Sequence, residues 1–553
     1  MENNNEVEEL TPMETAEKPP KKKHKVLKVL LIVIGLIIII VSLCYLLLGG
    51  KEEPKKASTD SGKVNKAAYR MSGNGLEAFD LYFLQLENEE KNKVYSPISI
   101  KYALEMLSEG SIGETKEQLD SIIGDYKAKS YPNSNHMSFA NAMFIKNTFK
   151  DAVKKDYINN LKEKYNAEVI YDEFTSPDSI NNWVSEKTFK LINNLVDDVS
   201  NNDFFLINAL AIDMNWNNQV HCASGSKVPC VNNGYYTVTY QHERLDDENT
   251  GSYHAVSYPY DSEEYFYGNE YQNIKHEFNG KEKIKGADIL VDYNKYDIIK
   301  ELGEEKIREI VKPEYEKWLQ TEEGKSFTSG GSYPTNSDEY LDIYIEEIKA
   351  NYGKGVYSTD FLLYEDDNVK TFAKDLQEYD GITLQYVGIM PKTTKLADYI
   401  KDLNKDDLNN VINNLKEVKI ENFKEGYATR IRGYIPFFKF EYQLQLMKDL
   451  KKLGITNIFD EKADLSNLTS AKGTVINEAI HKATIEFSND GIKASVATAI
   501  GGLGAASAGF DYAIKIPVED IDISFNNPYM YIIRDKSTGE IWFAGTVYEP
   551  IAK

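Results

Sequence analysis

His242-Glu243 and His276-Glu277 come nearest in this chain to the residues of a hydrolytic centre. In a zinc peptidase, H-E-x-x-H sets two imidazoles one helical turn apart around the metal and leaves the glutamate as base. Neither pair has its second histidine. Gly324-Lys325-Ser326 ends like a phosphate-binding loop but lacks the upstream glycine, and there is no G-x-S-x-G nucleophile turn. The seven histidines are scattered. No catalytic residue, metal ion or cofactor is assigned, and an enzyme is the least supported class.

A different pattern lies near the C-terminus, in HKATIEFSNDGIKASVATAIGG from His481 to Gly502. Ala483, Ile485 and Phe487 alternate with Thr484, Glu486 and Ser488, as in a strand with one buried face. Asn489-Asp490-Gly491 is a turn signal. A second alternation then begins: Ile492, Ala494, Val496, Thr498 and Ile500 on one parity, Lys493, Ser495, Ala497 and Ala499 on the other. A soft Gly/Ala run comes after it. Taken alone, such alternation is more simply an ordinary surface strand.

Several elements surround it. Leu76, Phe79, Phe83 and Leu86 fall at helical spacing. In VYSPISIKYALEML, Ser96 can cap a helix with Pro97 in its first turn and Ile100, Ala103, Leu104 and Leu107 inward. Gly113 closes that region, and Thr115 with Gln118 has the spacing of a capping box. Ile180, Trp183, Val184, Leu191 and Leu195 outline one further amphipathic helix. FFLINALAID reads as a buried strand and KFEYQ as another, followed by a helix through Leu446, Met447, Leu450 and Leu453 that stops at Gly454. YMYII and IWFAGTV around DKSTGE predict a buried hairpin. Helices mixed with long-range strands give an α+β fold.

The chain has 553 residues, with 42% hydrophobic residues, enough for a sizeable core. Its net charge of −23 argues against general affinity for nucleic acid or anionic lipid. Cys222 and Cys230 form one local bridge or remain two free thiols. Residues 1–28 read as a cytoplasmic disordered tail, acidic and then basic. Val29–Leu48 carries no charge and at ~1.5 Å per residue makes roughly 30 Å of helix, a membrane anchor. Lys21, Lys22, Lys23, Lys25 and Lys28 favour the N-terminus inside and the rest outside. Residues 49–73 read as a juxtamembrane linker spanning ~25–30 Å.

In their order, VYSPISIKYALEMLSEGSIGETKEQL, ANAMFI, NNWVSEKT, FFLINALAIDMNW, PFFKFEYQLQLMKDLKKLGITNIFD, HKATIEFSNDG and FNNPYMYIIRDKSTGEIWFAGTVYEP resemble the serpin family over residues 74–553. The resemblance implies helices around a large central sheet and an exposed reactive loop. In inhibitory serpins a protease cuts the loop, becomes acyl-linked to it, and is trapped when the loop enters the central sheet. On this pattern Asn489, Gly491, Ile492, Lys493, Ala494, Ser495, Val496, Ala497 and Thr498 are the hinge. The reactive bond is Ala505–Ala506, with Leu503, Gly504 and Phe510 as alternatives. Ser96, Ser99, Asn208 and His481 match the polar cluster that controls sheet opening, and Trp216 a tryptophan at the top of the sheet.

The inward parity of the hinge carries no charge, since Lys493 falls outward. Burying Ile492, Val496 and Ile500 would contribute ~1.5–3 kcal/mol each, and each ladder hydrogen bond ~1 kcal/mol. A gain of order 10–20 kcal/mol is large beside ordinary folding stability. Three residues depart from the family: Asn489 for a glutamate, Ile492 for a small hydroxyl residue, and Lys493 for another glutamate. A Tyr- and acid-rich insertion occupies about 217–360. The implied partner is a serine protease of elastase-like or subtilisin-like preference, or a cysteine protease, met by a monomer at the cell surface. A non-inhibitory surface binding or adhesion module is the alternative.

Overall fold

Ser96 and Pro97 start the helix that supports the site. The Ser96 Oγ accepts the Ser99 N–H at 3.2 Å, and the helix Pro97–Gly110 follows with Ile100 and Leu104 buried. Proline suits a first turn, where a missing N–H costs nothing. The computed structural model describes residues 65–217, 235–237, 276–294, 296–351, 358–419, 422–488, 491–492, 510, 512, 514 and 517–552. The tail 1–28, Val29–Leu48, Cys222, Cys230, Asn489, Lys493 to Thr498, and Leu503 to Ala506 lie outside them.

The described helices are α1 (Ala78–Leu86), α2 (Pro97–Gly110), α3 (Gly113–Ile123), α4 (Lys155–Tyr165), α5 (Asp178–Lys187), α6 (Ile298–Leu302), α7 (Glu304–Trp318), α8 (Glu322–Ser329), α9 (Ser337–Asn351), α10 (Leu396–Asp402), α11 (Lys405–Asn413) and α12 (Leu446–Lys452). The largest sheet has seven strands, in the order β1 (Lys93–Tyr95), β20 (Ile541–Val547), β19 (Tyr529–Asp535), β12 (Leu384–Pro391), β11 (Val369–Asp375), β10 (Ser358–Glu365) and β13 (Lys416–Lys419). Its β19–β20 hairpin is the one predicted around DKSTGE, and Tyr529–Ile533 and Ile541–Ala544 are buried. A second sheet runs β18 (Val518–Asp522), β14 (Ala428–Pro436), β9 (Gly286–Asn294) and β6 (Tyr235–Thr237). A small hairpin pairs β7 (Glu277–Phe278) with β8 (Lys281–Glu282).

Two further sheets face each other across a gap. One is β3 (Glu168–Asp172), β2 (Met137–Lys146) and β4 (Phe204–Ile212). The other is β15 (Phe438–Leu444), β16 (His481–Phe487), β17 (Gly491–Ile492) and β5 (Met214–Asn215). Since β5 continues β4 after Asp213 alone, β17 bridges the two sheets at one end, and below it β4 and β16 share no ladder.

Three local expectations are corrected. The folded body begins before Asn74: Lys66–Tyr69 is a 3₁₀ turn, and Met71 is buried with its N–H on the Ile122 carbonyl at 2.9 Å. Thr115 and Gln118 do not cap α3. Gly113 opens that helix, the Thr115 hydroxyl accepts the Asp464 N–H, and Gln118 accepts the amides of Thr456 and Asn457. Leu191 and Leu195 lie beyond α5, which ends at Lys187 because Phe189 and Lys190 take left-handed φ values of 51° and 63°.

Candidate functional site

The gap between β4 and β16 holds a cavity of about 210 Å³, lined by Leu104 of α2, Phe204 and Leu210 of β4, and His481 and Ala483 of β16. Strand alternation sets these faces. On β16 the odd residues His481, Ala483, Ile485 and Phe487 are buried. On β4, Leu210 and Ile212 join the main core with Ala483 and Ile485, whereas Phe205, Ile207 and Ala209 face α5. Each edge strand therefore leaves backbone groups toward the gap, which a further strand of matching parity could pair.

The N-terminus of α2 ties the two edges together. The Ser96 N–H donates to His481 Nε2 at 2.9 Å, and the Ser99 hydroxyl donates to Asn208 Oδ1. Asn208 Nδ2 donates to Asn141 at 2.8 Å, and Asn141 Nδ2 donates to the Tyr165 carbonyl at 2.8 Å. The four predicted residues are thus brought together on one helix end. Because Nε2 accepts, His481 must be neutral there, and burial pushes its pKa down to about 4. Asn141, the link to β2 and α4, was missed because nothing in its local sequence distinguishes it.

At the other end of the gap, the Ser488 N–H donates to the Gly491 carbonyl at 3.1 Å. The Trp216 indole N–H donates to the Ser488 carbonyl at 2.9 Å, so this buried tryptophan holds the end of β16 as well as packing against Phe487 and Tyr386. Gly491 pairs with Asn215, and Ile492 pairs with Met214 on one side and Phe487 on the other. A Cβ on Gly491 would overlap the Met214 carbonyl oxygen and lie 2.7 Å from Asn215 Cα, so only glycine fits. Ile492 is 2% exposed. Of the residues expected to form the hinge, Gly491 and Ile492 are strand.

Below α2, Lys101 Nζ meets Asp80 Oδ1 at 2.6 Å with both side chains buried. Burial raises the Asp80 carboxyl to about 6 against the pull of Lys101. Asp80 also accepts the Glu77 N–H at the start of α1, which locks that helix under the site.

Phe510, one alternative for the reactive bond, sits elsewhere. It packs among Tyr315, Trp318 and Tyr340, with ring centroids 4.9, 5.5 and 5.3 Å away. Among the described residues no cluster of His, Cys, Asp and Glu could hold a metal, and no helix is long and apolar enough to cross a membrane.

Known proteins share this fold. The model of the family described as Serpin (serine protease inhibitor) matches residues 74–238 and 342–550. Neuroserpin of Mus musculus is 24% identical over 488 residues, covering 84% of this chain and 87% of that protein. The native state of tengpin, a thermophilic serpin, superposes with a TM-score of 0.51 at 19% identity, covering 87% of this chain and 97% of that one. Thyroxine-binding globulin, in complex with thyroxine, gives 0.51 at 17% identity, covering 88% and 98%. At these identities the two structures speak for the fold alone.

Proposed function

The chain belongs to the serpin family, and from that premise we propose that it traps a serine protease covalently by inserting its cut loop between β4 and β16. The protease nucleophile attacks the Ala505 carbonyl carbon, the Ala506 amine leaves, and an acyl link holds the enzyme on Ala505. The severed upstream piece then extends β17 down the gap and carries the enzyme with it.

The observation that carries this reading is the register of β17. Ile492 opposite Phe487 and Met214 extends, residue by residue, to Thr498 opposite both His481 and Asn208. Ala494 and Val496 then meet Ile485 and Ala483 on the core side, and Lys493 falls on the α5 side. The parity of the loop and of both edges agrees. An incoming Thr498 hydroxyl arrives where the α2 cluster spans the gap, and it can take over hydrogen bonds as the strands part. Ile492, bulky for a hinge, is no obstacle to entry because it is buried before the cut.

The reactive bond is read as Ala505–Ala506, with Leu503 and Gly504 as neighbours; Phe510 is set aside because its ring is packed. Small residues there suit an elastase-like or subtilisin-like enzyme. Residues 217–360 are read as an insertion, in keeping with the unmatched stretch 239–341. Val29–Leu48 would hold the inhibitor, a monomer, at the outer cell surface. Incubation with elastase and with subtilisin tests the reading. A complex that survives denaturation and contains residues up to Ala505 is expected. Turnover of the loop without any complex would favour a non-inhibitory binding module.

A further inference from the structure

Asp80 stands in the first turn of α1 and Lys101 in the second turn of α2. Their side chains meet in the core with Nζ 2.6 Å from Oδ1, 0% and 2% exposed. In the other ion pairs of the described residues at least one side chain reaches solvent, as Lys164 does beside Glu105. Despite the short distance, Asp80 Oδ1 has no donor in hydrogen-bond alignment. The contact is a close approach of nitrogen to carboxyl rather than a well-directed hydrogen bond. The other oxygen, Oδ2, accepts the Glu77 N–H at 2.8 Å. Glu77 is itself fixed, because its Oε1 accepts the N–H groups of Ser72, Gly73 and Asn74 at 3.0, 2.8 and 3.1 Å. Apolar surface closes the site: the Tyr126 ring lies 5.5 Å from Lys101 Nζ, and the buried Phe83 ring packs on Phe79 and Tyr95.

We infer that Lys101 and Asp80 condense with each other, leaving an amide between Nζ and Cγ that ties α1 to α2 covalently. The Nζ–Cγ bond forms, the Cγ–Oδ1 bond breaks, and Oδ1 departs as water with two protons of the ammonium group. An ammonium and a carboxylate become a neutral amide and water, so charge balances and no co-reactant is needed. Each observation serves one step. The Glu77 N–H on Oδ2 is placed to stabilise the oxyanion that forms as the nitrogen adds. Burial, which raises the Asp80 carboxyl to about 6, favours the uncharged acid and amine that react. Held on two packed helices, the groups meet at a high effective concentration. The product relieves the core of two charges whose burial is costly. None of this depends on loop insertion.

The test is the mass of the full chain, kept folded for several days near neutral pH and then denatured and digested. The expected chain is lighter than its sequence by one water. The digest should contain a branched peptide in which the stretch holding Lys101 is joined to the stretch holding Asp80. Lys101→Arg keeps the positive charge but removes the amine, and its mass should equal that of its sequence. If that variant does not fold, the branched peptide of the unaltered chain decides alone. Asp80 and Lys101 recovered in separate peptides, at full mass or with a water lost elsewhere, would overturn the inference.

Discussion

Ile492 lies directly opposite Met214 in antiparallel register, so the strand Gly491–Ile492 has already taken its first place between the two halves of the central sheet. The next residues of the chain have the parity that fits the remaining gap. The edges of that gap are held at the His481 end by hydrogen bonds to one helix end.

Substituting Gly491 tests whether the first place matters. A Gly491→Val side chain would collide with the Met214 carbonyl, and overpacking of this kind costs about 1–3 kcal/mol. The expected result is loss of the β17 pairing, read as faster hydrogen exchange at the Ile492 and Met214 amides. The variant should also trap less enzyme. Unchanged exchange would mean that position 491 tolerates a side chain.

Thr498→Arg addresses the register. In the proposed inserted register this position would fall on the core-facing parity opposite His481, which is buried, and burying an unpaired charge costs several kcal/mol. Cutting should proceed at the usual rate, since residue 498 is remote from Ala505. Trapping and the gain in heat resistance should both be abolished. A variant that still traps enzyme would refute the register.

His481 should make stability depend on pH. Its folded pKa is depressed to about 4, against about 6.5 in an unfolded chain. Above pH 6.5 both states are neutral and there is no effect. Between pH 6.5 and 4 the unfolded chain takes up a proton that the folded protein refuses, so stability falls as the pH is lowered, by at most about 1.4 kcal/mol per unit. Below pH 4 the effect levels off. Subtracting the profile of His481→Gln from that of the unaltered protein isolates this part. A flat difference would contradict the Ser96 contact.

Lys101→Met leaves the Asp80 carboxyl buried without its partner. Breaking one side of such a pair typically costs 3–5 kcal/mol. Urea denaturation should show a loss of that order, and Asp80→Asn in the same background should recover part of it by removing the charge. A loss under 1 kcal/mol would mean that water reaches the pair.

Much of this was legible in the sequence because its signals are local. The alternation of β16, the apolar run of β4 and the Ser96–Pro97 start of α2 each lie within a few residues, and each formed as expected. The misread elements depended on distant partners or on backbone choice. Thr115 and Gln118 serve the loop around Asn457 and Asp464 rather than their own helix, and left-handed Phe189 and Lys190 cut short a periodic pattern. The polar cluster was reached through family resemblance, since no local rule links His481 to Ser96. Nothing in the sequence paired Phe510 with Tyr315, because a slot made by α7 and α9 has no periodic signature of its own.

The most direct test of loop insertion is the melting temperature before and after a single cut at Ala505–Ala506, verified by mass. A cut loop that becomes a strand between β4 and β16 adds buried surface and ladder bonds of order 10–20 kcal/mol, so the cut protein should melt far above the intact one. Equal melting temperatures, or a lower one after cutting, would contradict the account.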